Sequence, residues 1–140
     1  MRELKGSSLE ERDRISQFIQ AFQRDNIDFL EGIREEAQKE AVPIIRDETA
    51  ALLRVCLEMK KPKSILELGT AVGYSGLLMM DSLLGNTKLT TVEHFPERII
   101  KSKENFAKSP YNECIRLLEG DGGEILEKLL EGKESFDFVF

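Results

Sequence analysis

The sequence predicts an α/β fold, a parallel β-sheet whose strands alternate with helices and which is preceded by helices of its own. Three observations carry the prediction. Short apolar runs of strand length recur at 65–68, 89–93, 114–118 and 136–140, as buried strands of a parallel sheet do. The segments between them place apolar residues at helical spacing, with connections short enough for βαβ units. Glycine turns follow the first and third runs, Gly69 with Gly73 and Gly120 with Gly122 and Gly123, and a sheet of this kind binds its ligands just beyond the carboxyl ends of its strands.

Taken in order, residues 1–7 carry no pattern. Between Leu9 and Arg24 the residues Ile15, Phe18, Ile19 and Phe22 recur at helical spacing, and Ser8 with Glu11 offers a capping box. Leu30, Ile33 and Ala37 predict a second helix from Ile27 to Glu40, with Asn26 as its N-cap. Val42-Pro43-Ile44-Ile45 interrupts the pattern, because a residue before proline is pushed out of the α region. Asp47 then caps a third helix with Leu52, Cys56 and Met59 as its core stripe.

Pro62 and Lys63 punctuate the start of the first strand, Ile65-Leu66-Glu67-Leu68. The helix after its glycine turn begins near Tyr74 and Ser75, and Leu77, Leu78, Met79, Met80, Leu83 and Leu84 make it apolar almost all round. Gly85-Asn86-Thr87 leads into the second strand, Leu89 to Glu93. Pro96 sits in the first turn of the next helix, whose Ile99, Ile100, Phe106 and Ala107 share a face before Ser109-Pro110 ends it. Cys114 to Leu118 is the third strand, Gly120 to Gly123 a turn, and Ile125, Leu126, Leu129 and Leu130 face the core from a further helix. Phe136 to Phe140 begins a fourth strand, with Asp137 inside it. Residues 1–46 form an N-terminal helical segment in this reading, and 47–140 the first part of the sheet domain.

Composition narrows the function classes. A chain of 140 residues that is 41% hydrophobic and 33% charged is an ordinary single domain. Its 20 basic and 26 acidic residues give a formal charge of −6, which disfavours a broad phosphate-binding surface but leaves room for a local basic patch. Lys60-Lys61-Pro62-Lys63 reads as a solvated helix end. The two cysteines, Cys56 and Cys114, have no partner at metal-ligand spacing and read as small buried hydrophobes. There is no N-terminal apolar leader and no run of about 18 apolar residues, so the expected location is the cytoplasm.

The candidate site gathers Glu67 to Ser75, Glu93 with His94, and Gly120 to Gly123. Three residues separate Gly69 from Gly73, which departs from the Gly-x-Gly-x-x-Gly spacing required by a dinucleotide pyrophosphate. A cofactor without phosphates fits better. Glu93 ends the second strand, where a carboxylate accepts hydrogen bonds from a ribose diol. Ser75 reads both as a helix cap and as a ligand contact, Glu67 equally as a structural carboxylate, and Asp121 also as a turn former. His94 reads as a surface neighbour of the ribose site rather than a base.

Ile65-Leu66-Glu67-Leu68-Gly69-Thr70-Ala71-Val72-Gly73-Tyr74-Ser75, Thr91-Val92-Glu93, Glu119-Gly120-Asp121-Gly122 and Phe136-Asp137-Phe138-Val139-Phe140 together resemble the cation-dependent O-methyltransferases. That family includes catechol and caffeoyl-CoA O-methyltransferases and bacterial relatives that act on small phenols or on 5-hydroxyuridine in tRNA. The likeness runs from about Val42 to Phe140, and Val42-Pro43-Ile44-Ile45 resembles a segment that precedes the same helix in bacterial members. It implies a Rossmann-like S-adenosylmethionine-dependent methyltransferase fold, truncated after its fourth strand and preceded by N-terminal helices. S-adenosylmethionine is the implied cofactor. Gly69 would approach its methionine part, Ser75 its carboxylate and Glu67 its ammonium. Glu93 would clamp the ribose, and Asp121 with the backbone of Gly122 would read the adenine edge. Family members often have alanine where Gly122 stands. Ile45 matches a position near the cofactor.

The resemblance also implies a divalent cation, usually magnesium, that binds both oxygens of a vicinal acceptor and lowers the pKa of the attacking hydroxyl. The family's metal ligands would all follow Phe140, so neither a catalytic residue nor a metal ligand is expected within this chain. Methyl transfer is expected only from a longer protein. The implied partners are a small-molecule acceptor or tRNA, and a second copy in a homodimer; no membrane is involved. A nicotinamide-dependent oxidoreductase and a non-catalytic S-adenosylmethionine-binding module are the competing readings.

Overall fold

The computed structural model describes residues 26–140 and, before them, Arg14 alone. The helix expected between Leu9 and Arg24, with its capping box, therefore lies outside the described residues apart from the helical Arg14. The element order is α1 (Asp28–Lys39), α2 (Asp47–Lys60), β1 (Ser64–Leu68), α3 (Tyr74–Ser82), β2 (Lys88–Glu93), α4 (Pro96–Lys108), a 3-10 turn (Asn112–Cys114), β3 (Ile115–Glu119), α5 (Gly122–Glu131) and β4 (Phe138–Val139).

The four strands form one parallel sheet in the order β3-β2-β1-β4. Register pairs Leu66 with Thr90 and with Val139, and Thr90 with Arg116. Successive residues of a strand point to opposite faces, and the core divides accordingly. Ile65 and Leu89 join Leu30, Ile33, Leu53, Leu57 and the α3 side chains on one face, whereas Leu66 and Val92 pack with Ile125 and Leu129 of α5 on the other. Both α1 and α2 pack against α3, so α3 is buried between helices and sheet, which explains its apolar circumference.

Close approach of α3 to the sheet rests on Gly76. A Cβ there would lie 2.8 Å from Leu89 Cδ2 and 3.0 Å from Glu67 Oε2. Gly73, at φ 85°, caps the helix in the left-handed region, and a Cβ on it would lie 2.6 Å from the Phe106 ring.

Several expectations are corrected. Asn26 does not cap α1, whose N-cap is Ile27. Its side chain instead joins three helices, donating to Glu31 Oε2 at 2.9 Å and Tyr74 Oη at 3.1 Å and accepting from Arg54 at 2.7 Å. Asp47 is the first residue of α2, after Arg46 as N-cap. The core stripe of α2 is Ala50, Leu53 and Leu57, while Leu52 and Met59 are 64% and 83% exposed. Two apolar stripes share that helix, and periodicity alone does not say which one meets α3.

The same ambiguity moves Ile100 and Ala107 of α4, and Leu126 and Leu130 of α5, out of the core. Leu83 is the C-cap of α3 and Leu84 lies beyond it, exposed at φ 52°. Cys114 belongs to the 3-10 turn and Gly122 opens α5. Asp137 precedes β4 rather than lying within it; its Oδ2 accepts from the amides of Lys63 at 2.7 Å and Ser64 at 3.1 Å, fastening the two strand starts together.

Candidate functional site

At the carboxyl end of β1 the chain turns over Gly69, at φ 100°, with open space where a Cβ would stand. The amides of Gly69 and Thr70 both donate to Val92 O at 3.0 Å, so the turn is anchored on β2. Gly73 N then donates to Thr70 O at 2.8 Å and closes it. Ala71 holds a positive φ of 47° inside the turn, a strained conformation for a residue with a Cβ. Two contacts hold it there. Ala71 N donates to Glu93 Oε2 at 2.7 Å, and the buried Asn105 of α4 donates to Val72 O at 2.8 Å.

Glu93 is buried at the end of β2. Its Oε1 accepts from His94 N at 2.9 Å and Phe95 N at 3.0 Å, so three backbone amides fix the carboxylate. A carboxylate has about four acceptor positions, which leaves about one for a ligand hydroxyl in this arrangement. Gripping both hydroxyls of a diol requires one amide to yield. Gly120 N donates to Glu93 O at 2.9 Å, which sets the turn after β3 beside this corner. His94 is exposed and stacks edge-on with Phe95 at 5.3 Å.

Glu67 lies beneath the turn, 1% exposed. Its Oε1 accepts from Ser75 Oγ at 2.5 Å and its Oε2 from Thr91 Oγ1 at 2.6 Å, and Thr91 is joined to Thr70 Oγ1 at 2.6 Å. Burial pushes its pKa up from 4.5 to about 7, opposed by the Ser75 and Thr91 hydroxyls and aided by the negative charge of Glu93. A hydroxyl has one proton. Ser75 donates that proton to Glu67 here, so it serves a ligand carboxylate only when Glu67 itself is protonated.

A cleft of about 300 Å³ opens in front, with Pro43, Ile44 and Ile45 on one wall and Leu68 to Ala71, Tyr74, Ser75 and Phe140 on the other. It contains Ile45, Gly69 and Ser75 of the residues singled out by sequence, with Glu67 behind Ser75 and Glu93 joined to Ala71. A larger opening of about 530 Å³ on the other side of residues 41–48 holds Arg34, already paired with Asp47 at 3.1 Å, and none of the glycine turn. Asp121 and Gly122 are not among the cleft residues. Asp121 caps α5, with Oδ1 accepting from Gly123 N at 2.9 Å and Glu124 N at 3.2 Å.

Among the described residues no three His, Cys, Asp or Glu side chains gather to hold a metal ion, and no helix is long and apolar enough to cross a membrane. Sequence reasoning held Thr70 in the candidate turn without giving it a role, and gave none to Thr91 or Asn105. The one available signal was the pair Thr90-Thr91 in the middle of an otherwise buried strand.

The arrangement suits a small ligand with a cationic end, a ribose and no pyrophosphate. The backbone is open at Gly69, a buried carboxylate stands behind Ser75, and a second carboxylate is fixed at the next strand end. Residues 20–140 match the O-methyltransferase family. The chain is similar to a putative O-methyltransferase of Mycobacterium avium, 31% identical over 112 residues, covering 79% of this chain and 50% of that protein. A probable O-methyltransferase of Mycobacterium tuberculosis is 30% identical over the same length. The chain thus spans about half the length of these relatives.

Among solved structures, the SAH-bound methyltransferase of Podospora anserina shares the fold with a TM-score of 0.89 at 24% identity, covering 100% of this chain and 60% of its own. A putative caffeoyl-CoA O-methyltransferase from Staphylococcus aureus gives 0.77 at 27% identity, with 94% and 59% covered.

Proposed function

Because the chain belongs to the O-methyltransferase family, we propose that it supplies the S-adenosylmethionine site of an O-methyltransferase. The observation that carries this reading is the Glu93 carboxylate, fixed by three amides at a strand end beside the open Gly69 turn. Gly69 admits the methionine part to the strand end. The first amides of α3 receive its carboxylate, at the positive end of the helix dipole, and Ser75 borders the site while its proton stays on Glu67. Glu67 offers its charge to the ammonium. Glu93 accepts from the ribose, Asp121 and the Gly122 backbone meet the adenine edge, and Ile45 packs against the ligand.

When bound, the cofactor supplies an electrophilic methyl on a sulfonium, and the chain's part is to hold it oriented for in-line displacement by an acceptor oxygen. The acceptor in this reading is a hydroxyl of a small vicinal-diol-type phenol, bound with a divalent cation. The described residues present no donor set for that cation. The acidic balance of −6 favours such an acceptor over 5-hydroxyuridine in tRNA.

Calorimetric titration of the protein with S-adenosylhomocysteine tests the cofactor site, with NAD as the control ligand. Saturable binding that is lost in Glu93→Ala is the expected result. A folded protein that binds NAD instead, or neither ligand, overturns the reading.

A further inference from the structure

The central strands carry a closed chain of side-chain hydroxyls that the cofactor contacts do not account for. Thr70 and Thr91 are 1% and 0% exposed, and Thr91 Oγ1 stands 2.6 Å from both Thr70 Oγ1 and Glu67 Oε2. Thr91 gives its one proton to Glu67, so Thr70 must be the donor to Thr91. Ser75 occupies the other Glu67 oxygen. Both oxygens are therefore supplied with donors while Glu67 is ionised. If Glu67 takes a proton on Oε2, the chain reverses: Glu67 donates to Thr91 and Thr91 to Thr70. In both directions Thr91 bridges the carboxylate to Thr70 of the glycine turn.

We propose that Thr91 is a positioning residue for cofactor recognition, whose buried hydroxyl holds Glu67 as a carboxylate beneath the glycine turn for the ammonium end of the ligand. The inference rests on the cofactor reading above. In a buried setting an anionic acceptor depends on its donors, and Glu67 has two. Glu93 at the end of β2 is the charged side chain whose field reaches it, and it disfavours the anion. α3 contributes the neutral Ser75, and Val139 of β4 and the following Phe140, both apolar, run alongside β1. Among the described residues no neighbouring cation substitutes for the Thr91 proton.

The test is the pH dependence of S-adenosylhomocysteine affinity, by calorimetry from pH 6 to pH 9, for wild type, Thr91→Ser, Thr91→Val and Thr70→Val. Wild-type affinity rises with pH as Glu67 ionises. In Thr91→Val the midpoint of that rise moves up by about one pH unit, a roughly fivefold weaker affinity at about pH 7 that approaches roughly tenfold at about pH 6. Thr91→Ser restores the wild-type profile. A merely structural loss would weaken binding equally at every pH and leave the midpoint in place.

A folded Thr91→Val protein with the wild-type midpoint overturns the proposal, as does a wild-type profile flat between pH 6 and 8. Should Thr91→Val fail to fold, Thr70→Val decides: a smaller upward shift of the midpoint supports the chain, and an unchanged profile overturns it. A folded wild type that binds no S-adenosylhomocysteine overturns the cofactor reading itself. Normal binding with an unmoved Thr91→Val midpoint overturns only the role of Thr91.

Discussion

Glu67 stores a conflict between folding and binding at a single carboxyl. Its pKa is raised from 4.5 to about 7, chiefly by burial, so between those pH values the folded chain keeps a proton that the unfolded chain releases. Its contribution to stability is therefore full below about pH 4.5 and is lost as pH rises towards 7, a swing of about 3 kcal/mol. Urea unfolding of wild type and Glu67→Gln from pH 4 to pH 8 checks this. The wild type should lose stability relative to the variant across that window, and parallel curves would refute it. Asp137 acts with the opposite sign: the Lys63 and Ser64 amides hold its pKa below 3.8, so its contribution is present above that value and is lost only in stronger acid. Glu67, Gly69 and Glu93 were legible in the sequence because they stand inside or directly after apolar runs. The roles of Thr70, Thr91 and Asn105 were not, although Thr70 stands in the glycine turn, since their meaning lies in partners 21 and 33 residues away, and threonine in a strand is ordinary.

Helix α3 shows what one element demands of its glycines. At Gly76 a methyl group would press into Leu89 and Glu67, and overpacking of this kind costs about 1–3 kcal/mol. Gly32, inside α1, has nothing within 4 Å of a Cβ, so alanine there should stabilise by about 0.5–1 kcal/mol. Denaturant midpoints for Gly76→Ala and Gly32→Ala should move in opposite directions, and a shared direction would contradict the packing described. The helices and strands were readable from period and punctuation. The buried side of α2, α4 and α5 was read less well, because Leu52, Ile100 and Leu130 fit an apolar stripe as well as their buried neighbours do. Contact with another element sets the phase of a helix, and that is a tertiary fact.

At the scale of the whole molecule the sheet order leaves β4 at an edge, paired with β1 alone among the described residues. Val139 is 61% exposed there, and an exposed apolar edge strand is a template for pairing with another chain. The alternation of strands and helices announced the sheet, but not that β4 returns to the far side of β1. That return has a consequence in time. The two strands meet across a sequence separation of 73 residues, from Ser64 to Asp137, a length that a ribosome adds in roughly 4–15 s. While β2 and β3 are laid down on one side, the other side of β1 waits with its backbone groups unmatched. The nascent chain is then open to the wrong partner at the strand that carries Glu67, so the rate of elongation bears on how much of the protein reaches this fold.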